Sequence, residues 1–248
     1  MKVNESPVTR RNALAVLAGL PLTLTCLREG GAAPFPALDQ DIAAEIEPYS
    51  PALVTREQWR AKPPLPGMKP QVPRGIIIHH TAVRQNPSIS LDSKMRNLQS
   101  FSQQPGHVSP KVLKPAWPDV PYHYYIDNAG QVAEGRDVRF AGDTNTKYDT
   151  VGYIQVVLEG DFEVERPADA QVELTRQLLV LLTLSWSVPM NRITVHKDHA
   201  ATTCPGRNFS AIFPGLLANV AEDRQRLTAE LCRRGARPGF AKRYCQPG

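Results

Sequence analysis

The chain has 248 residues, enough to bury a full core in one domain or two small ones, and its 42% hydrophobic and 21% charged content is that of an ordinary globular protein rather than of a wholly disordered chain. A formal charge of +5 with no long basic run excludes an electrostatic nucleic-acid footprint and discriminates little among other partners.

Taken in chain order, the first segment reads as an address rather than as fold. Thr9-Arg10-Arg11-Asn12 precedes an apolar stretch from Ala13 to Leu24 that is too short to span a bilayer. Residues 1–33 are therefore expected to be an export signal, of the twin-arginine or the general secretory type, with no transmembrane anchor. Cys26 is an alternative point of lipid attachment, although Thr23-Leu24-Thr25 before it matches a lipobox poorly. Export places the chain in an oxidising periplasmic or secreted compartment, and this changes how the other cysteines are read. The simplest arithmetic pairs Cys232 with Cys245 and leaves Cys204 as an unpaired thiolate. Pairing Cys204 with a tail cysteine is the competing arrangement, and it would abolish any metal site.

Residues 34–53 show proline, alanine and acidic residues without a sustained period and read as a linker. Residues 54–217 read as one α/β unit with a mixed sheet, and 218–248 as a helical end and tail. Strands are expected at Gly75–His79, Tyr122–Asp127, Gln131–Glu134, Val151–Leu158 and Arg192–His196. Val151–Leu158 reads as apolar on both parities, the mark of a central strand covered on two faces. Helices are expected at Leu91–Gln103, at Asp169–Trp186, where Leu174, Leu178, Leu181 and Leu182 recur at helical spacing, and at Ser210–Arg226. The Pro-rich stretch from Asn97 to Trp117 carries His107 and reads as a plain surface excursion or, on the family resemblance given below, as a groove wall or lid.

Six histidines compete for attention: His79, His80, His107, His123, His196 and His199. A lone histidine after an apolar strand is more often a satisfied core or surface residue than a ligand. His79, His196 and Cys204 stand apart because each sits at a strand end or on the loop that follows, where a rigid scaffold holds functional groups. Two imidazoles and a thiolate make a ligand set for Zn²⁺ that leaves a fourth tetrahedral position open. His80 alternates to the face opposite His79, so one of the pair should face a metal. His196 and His199 offer a second, weakly specific His-x-x-His spacing.

Several spaced blocks give the chain a resemblance. They are Val54-Thr55-Arg56-Glu57-Gln58-Trp59, Ile76-Ile77-Ile78-His79-His80-Thr81-Ala82, Val120-Pro121-Tyr122-His123-Tyr124-Tyr125-Ile126, Glu134-Gly135-Arg136-Asp137, Leu158-Glu159-Gly160-Asp161-Phe162, and His196-Lys197-Asp198 through Cys204-Pro205-Gly206. In this order they resemble the zinc-dependent N-acetylmuramoyl-L-alanine amidases of the bacteriophage-lysozyme and peptidoglycan-recognition-protein family, over roughly residues 54–215. The resemblance implies an α/β domain with a central mixed sheet and a metallo-amidase acting on peptidoglycan or a muropeptide, expected to be a monomer. It implies zinc held by His79, His196 and Cys204. Tyr122 would hydrogen-bond the attacking water or the developing oxyanion, and Thr202 would support that oxyanion. His80, His123 and Asp143 fall where they would line or order the substrate groove. Binding-only members of the family typically lack the cysteine, so its presence here favours an enzyme over a recognition module. Two departures stand out. Val157 occupies the place where some relatives carry a glutamate base, with Glu159 two residues on. The groove loop reads Ala141-Gly142-Asp143-Thr144 followed by Tyr148-Asp149.

Overall fold

The structure, a computed structural model, describes residues 40–109 and 112–246. The expected export signal and Cys26 lie outside the described residues. Among those residues no helix is long and apolar enough to cross a membrane.

The architecture is a six-stranded mixed sheet flanked by helices. Its strands are β1 (Leu53–Val54), β2 (Gly75–His80), β5 (Tyr124–Ile126), β6 (Val132–Glu134), β7 (Tyr153–Leu158) and β8 (Ile193–Val195), with β3 (Gly106–Ser109) and β4 (Val112–Lys114) forming a separate hairpin. The spatial order is β1-β6-β5-β7-β2-β8; β5 and β6 are antiparallel and the other neighbouring pairs parallel. The Asp127–Gly130 turn expected between β5 and β6 closes with Gly130 N–H donating to the Asp127 carbonyl at 3.0 Å, while the Asp127 carboxylate accepts from Ala129 and Gln131 N–H.

Alternation along the two central strands divides the core in two. Ile76, Ile78, Ile154, Val156 and Leu158 face α3 (Asp169–Ser185) and α4 (Arg207–Arg233). Val157 and Tyr125 face the other way and pack with Trp59 and with Leu91 and Met95 of α2 (Leu91–Ser102). From Leu178 to Ser185 every residue of α3 is buried, because the sheet lies on one side of it and other helices on the other. The Ser90 hydroxyl starts α2 by accepting from Ser93 N–H.

The structure differs from the sequence reading at both ends of the fold. Residues 40–46 lack a sustained period, yet they form a two-turn helix α1 (Gln40–Ile46) that buries Ile42 and Ile46 in the main core. Helix α4 begins before Ser210 and runs to Arg233, past the expected end of the domain at 217. A last helix, α5 (Pro238–Tyr244), buries Phe240 and packs against α1. The expected disulfide Cys232–Cys245 is formed and ties α5 to the end of α4. Cys204 is free and buried.

The Pro-rich extension contains the β3–β4 hairpin. Its anchor is Lys114, fully buried, whose ammonium donates to the carbonyls of Ser102 and Pro115 and lies 4.6 Å from the centre of the Trp117 ring. His107 sits exposed on this hairpin.

Candidate metal centre

Parallel register puts three side chains on one face: His79 at the end of β2, and Gln155 and Val157 of β7 opposite Ile77 and His79. The adjacent strand β8 ends in a short turn, His196–Asp198, that lifts His196 toward His79; their ring centres are 4.6 Å apart. That turn is held by Val195 N–H donating to the Asp198 carboxylate at 3.0 Å. Lys197 N–H donating to the Cys204 carbonyl at 2.9 Å then closes the 197–204 loop and returns the cysteine to the histidines. Gly206, two residues on, has φ +89°, and a Cβ there would lie 2.4 Å from the Phe162 carbonyl carbon, so the exit from this loop requires glycine.

The result is a compact trio. One nitrogen of His79, one of His196 and the sulfur of Cys204 lie within 4.8 Å of one another, and all three residues are buried. His79 Nδ1 is 3.7 Å from the Cys204 sulfur, while its Nε2 is hydrogen-bonded to the Gln155 side-chain oxygen. An amide oxygen only accepts, so Nε2 carries the proton and Nδ1 presents a lone pair to the trio. The Nε2 of His196 bonds the Thr146 hydroxyl at 2.7 Å, which leaves its Nδ1 free.

Burial decides the protonation of all three groups. It pushes the His79 imidazolium down to about 3, helped by the neighbouring His196, and pushes His196 down to about 4. It pushes the Cys204 thiol up to about 12, opposed in part by the His80 backbone N–H that donates to the sulfur at 3.4 Å. Two neutral imidazoles beside a thiol that ionises only with a cation nearby form a donor set that fits Zn²⁺.

The other expected residues divide into those around the trio and those behind it. The Tyr122 ring lies 5.3 Å from that of His79, and burial, with Cys204 and Tyr148 nearby, raises its hydroxyl well above the usual tyrosine range, so it remains a donor. The Thr202 hydroxyl accepts from Cys204 N–H at 3.2 Å, a bond that does not engage its own proton. His123 is buried beneath the site. Its Nδ1 accepts from Gln155 N–H at 2.7 Å and its Nε2 lies 2.8 Å from the Phe140 carbonyl, so it fixes β7 from behind. The His80 ring lies on the opposite face, where Nδ1 accepts from Phe162 N–H at 3.1 Å. The Asp143 carboxylate is paired with the buried Arg136, which also holds the carbonyls of Asp119 and Val120. His199 is turned away to the Thr194 hydroxyl at 2.8 Å.

Val157 is fully buried in the cluster with α2. Glu159 is buried as well; its carboxylate pairs with Lys94 at 2.8 Å and accepts from the N–H groups of Asn86 and Asn128. Three residues that sequence reasoning did not assign adjoin the trio: Gln155, Thr146 and Tyr148. The signal for Gln155 was a polar residue inside an apolar run. Beyond Tyr148 and His199 the surface opens into a depression of about 690 Å³ bordered by Arg74, Tyr153, Trp186 and Arg192.

The same residues can be set beside known proteins. The family described as N-acetylmuramoyl-L-alanine amidase matches residues 69–207, a span that contains His79, His196, Cys204 and the whole sheet apart from β1. The chain belongs to that amidase family. Among individual relatives, peptidoglycan-recognition protein SD of Drosophila simulans is 29% identical over 168 residues, covering 64% of this chain and 83% of that protein. The N-acetylmuramoyl-L-alanine amidase of Sus scrofa is 28% identical over 163 residues, 63% of this chain but 26% of the pig protein. The solved structure of Drosophila peptidoglycan recognition protein SD superposes with a TM-score of 0.56 at 27% identity, over 66% of this chain and 93% of that one. The amidase LysC of Clostridium intestinale superposes with a TM-score of 0.55 at 21% identity, over 69% and 99%, a likeness of fold. Amidase-family relatives thus include proteins named as enzymes and proteins named as recognition proteins.

Proposed function

We propose that this chain is an exported zinc amidase that hydrolyses the amide between N-acetylmuramic acid and L-alanine in peptidoglycan. The observation that carries the reading is the buried trio His79, His196 and Cys204, whose donor atoms lie within 4.8 Å of one another. Zinc held there would supply Lewis acidity, polarising a carbonyl oxygen and acidifying water. The protein's own groups supply the rest. Gln155 and Thr146 hydrogen-bond the outer nitrogens of the two imidazoles, and the His80 backbone N–H donates to the sulfur. Tyr122 keeps its proton and donates to the negative charge that develops on the scissile carbonyl oxygen; Thr202, beside Cys204, offers a second hydroxyl proton. A donor of this kind contributes on the order of 3 kcal/mol to the transition state. Hydrolysis leaves a lactyl carboxylate on the sugar and a free amine on the alanine.

The similarity to proteins named as recognition proteins favours a second reading, binding without cleavage. One experiment separates the two. The purified protein is incubated with peptidoglycan and with soluble muropeptides, with and without a chelator, and the new ends are identified. Chelator-sensitive appearance of free L-alanine amines is the expected result. Retention on peptidoglycan with no new ends would replace the amidase by a recognition module.

A further inference from the structure

Gln155 is 1% exposed and lies in the middle of the central strand β7, where its neighbours Ile154, Val156 and Val157 are fully buried and apolar. Its amide nitrogen is buried and has no hydrogen-bond partner among the described residues. An unpartnered buried donor costs about 1–3 kcal/mol, and a leucine of similar volume would avoid that cost. What leucine could not supply is the carbonyl oxygen, which receives the His79 Nε2 proton and, at 3.3 Å, the Tyr148 hydroxyl proton. His196 has a parallel arrangement. Its Nε2 meets the Thr146 hydroxyl, which is held in turn by Thr144 at 2.8 Å. Both partners are neutral, and Thr146 and Tyr148 come from the one loop that follows Gly142 and rejoins the sheet at β7. That loop also presses the Tyr148 ring against His196, with centres 5.3 Å apart.

We propose that Gln155 and Thr146 are positioning residues for the metal centre: Gln155 fixes the tautomer and ring orientation of His79 so that Nδ1 faces the metal, and Thr146, whose hydroxyl can donate or accept, fixes the orientation of the His196 ring. The proposal rests on the zinc reading above. It has a chemical consequence, since an outer partner that accepts a ligand histidine's second N–H raises the basicity of the ligating nitrogen and removes the freedom to rotate or change tautomer. Because amide and hydroxyl are uncharged, they orient the rings without adding negative charge to a site that already holds a thiolate.

The test uses the full chain and two readouts besides hydrolysis. Zinc affinity is measured by competition with a chromogenic chelator, and the His79 tautomer by ¹⁵N NMR of the metal-free protein. Wild type should carry the His79 proton on Nε2. Gln155→Leu should bind zinc about 10–100-fold more weakly and show a mixture of His79 tautomers, whereas Gln155→Glu, which keeps an acceptor and adds negative charge, should bind zinc at least as tightly as wild type. Thr146→Val should weaken zinc about tenfold, with Thr146→Ser restoring it. If Gln155→Leu does not fold, the wild-type tautomer and the glutamate variant still decide. A His79 proton on Nδ1 in wild type, or a leucine variant that matches wild type in affinity, would overturn the proposal. A wild type that takes up no zinc would instead overturn the zinc reading and the proposal with it.

Discussion

At Cys204, burial and coordination pull in opposite directions. The buried thiol is pushed up to about 12, so it is protonated at neutral pH, while His79 and His196, pushed down to about 3 and 4, are already neutral. On the proposed zinc reading, uptake of the ion would displace one proton, from the sulfur. Titration calorimetry in buffers of different ionisation enthalpy should report about one proton released per zinc at pH 7, and affinity should rise about tenfold per pH unit between about pH 5 and 9. Release of none, or of two, would refute this assignment of protonation. Cys204→Ser should lose zinc and hydrolysis together while its far-ultraviolet dichroism is retained; full activity in that variant would remove Cys204 from the ligand set. The grouping of these three residues was legible in the sequence because His and Cys are rare residues and each ends an apolar run or follows one. Thr146 was not, and Gln155 showed only as a polar residue in an apolar run, with nothing to pair it with His79. Position 155 faces His79 only through the register of β7 on β2, and Thr146 reaches His196 across fifty residues of chain.

At the level of elements, the turn after β1 is fastened to β6 through one residue, Glu134. Its carboxylate accepts from Arg56 N–H at 3.2 Å and its carbonyl from the Trp59 ring N–H at 2.7 Å. Desolvation raises the Glu134 carboxyl from 4.5 to about 7, against the pull of Arg56 and with the help of Asp137. The folded state therefore binds a proton more tightly than the unfolded chain. Its contribution is fully present below about pH 4.5 and is lost as pH rises through about 7. Glu134→Gln keeps an acceptor for Arg56 and removes that dependence. Urea unfolding should show the variant gaining stability over wild type as pH goes from 5 to 8; parallel curves would refute the raised value. The strands themselves were readable because an apolar run between turn residues has few other uses. The short elements were not. Helices α1 and α5, of seven residues each, are too short to be stable alone and take their structure from packing that no local period records.

Across the whole molecule, the two ends of the described chain close on each other, on the far face of the sheet from the His79–His196–Cys204 trio. Asp41 and Glu45 of α1 accept from Gly239 and Arg237 N–H at 2.9 and 3.1 Å, and Phe240 is fully buried in the main core with Ile42 and Ile46. The Cys232–Cys245 bridge holds α5 in this position from the other side. Its sequence separation of 13 means that it restrains a short loop in the unfolded chain, which corresponds to about 3 kcal/mol of stabilisation on a chain-entropy account. The His79–His196–Cys204 trio, by contrast, is carried by β2, β8 and the 197–204 loop, whereas the main packing partners of α5 are α1 and α4. Replacing both cysteines by alanine should therefore lower unfolding stability by about 3 kcal/mol and leave zinc affinity unchanged within about threefold, since sites far apart with no shared partners act additively. Urea unfolding and chelator competition on the same preparation measure the two quantities. A fall in zinc affinity that tracks the lost stability would show that the helical closure and the metal centre are one cooperative unit, contrary to this division of the fold.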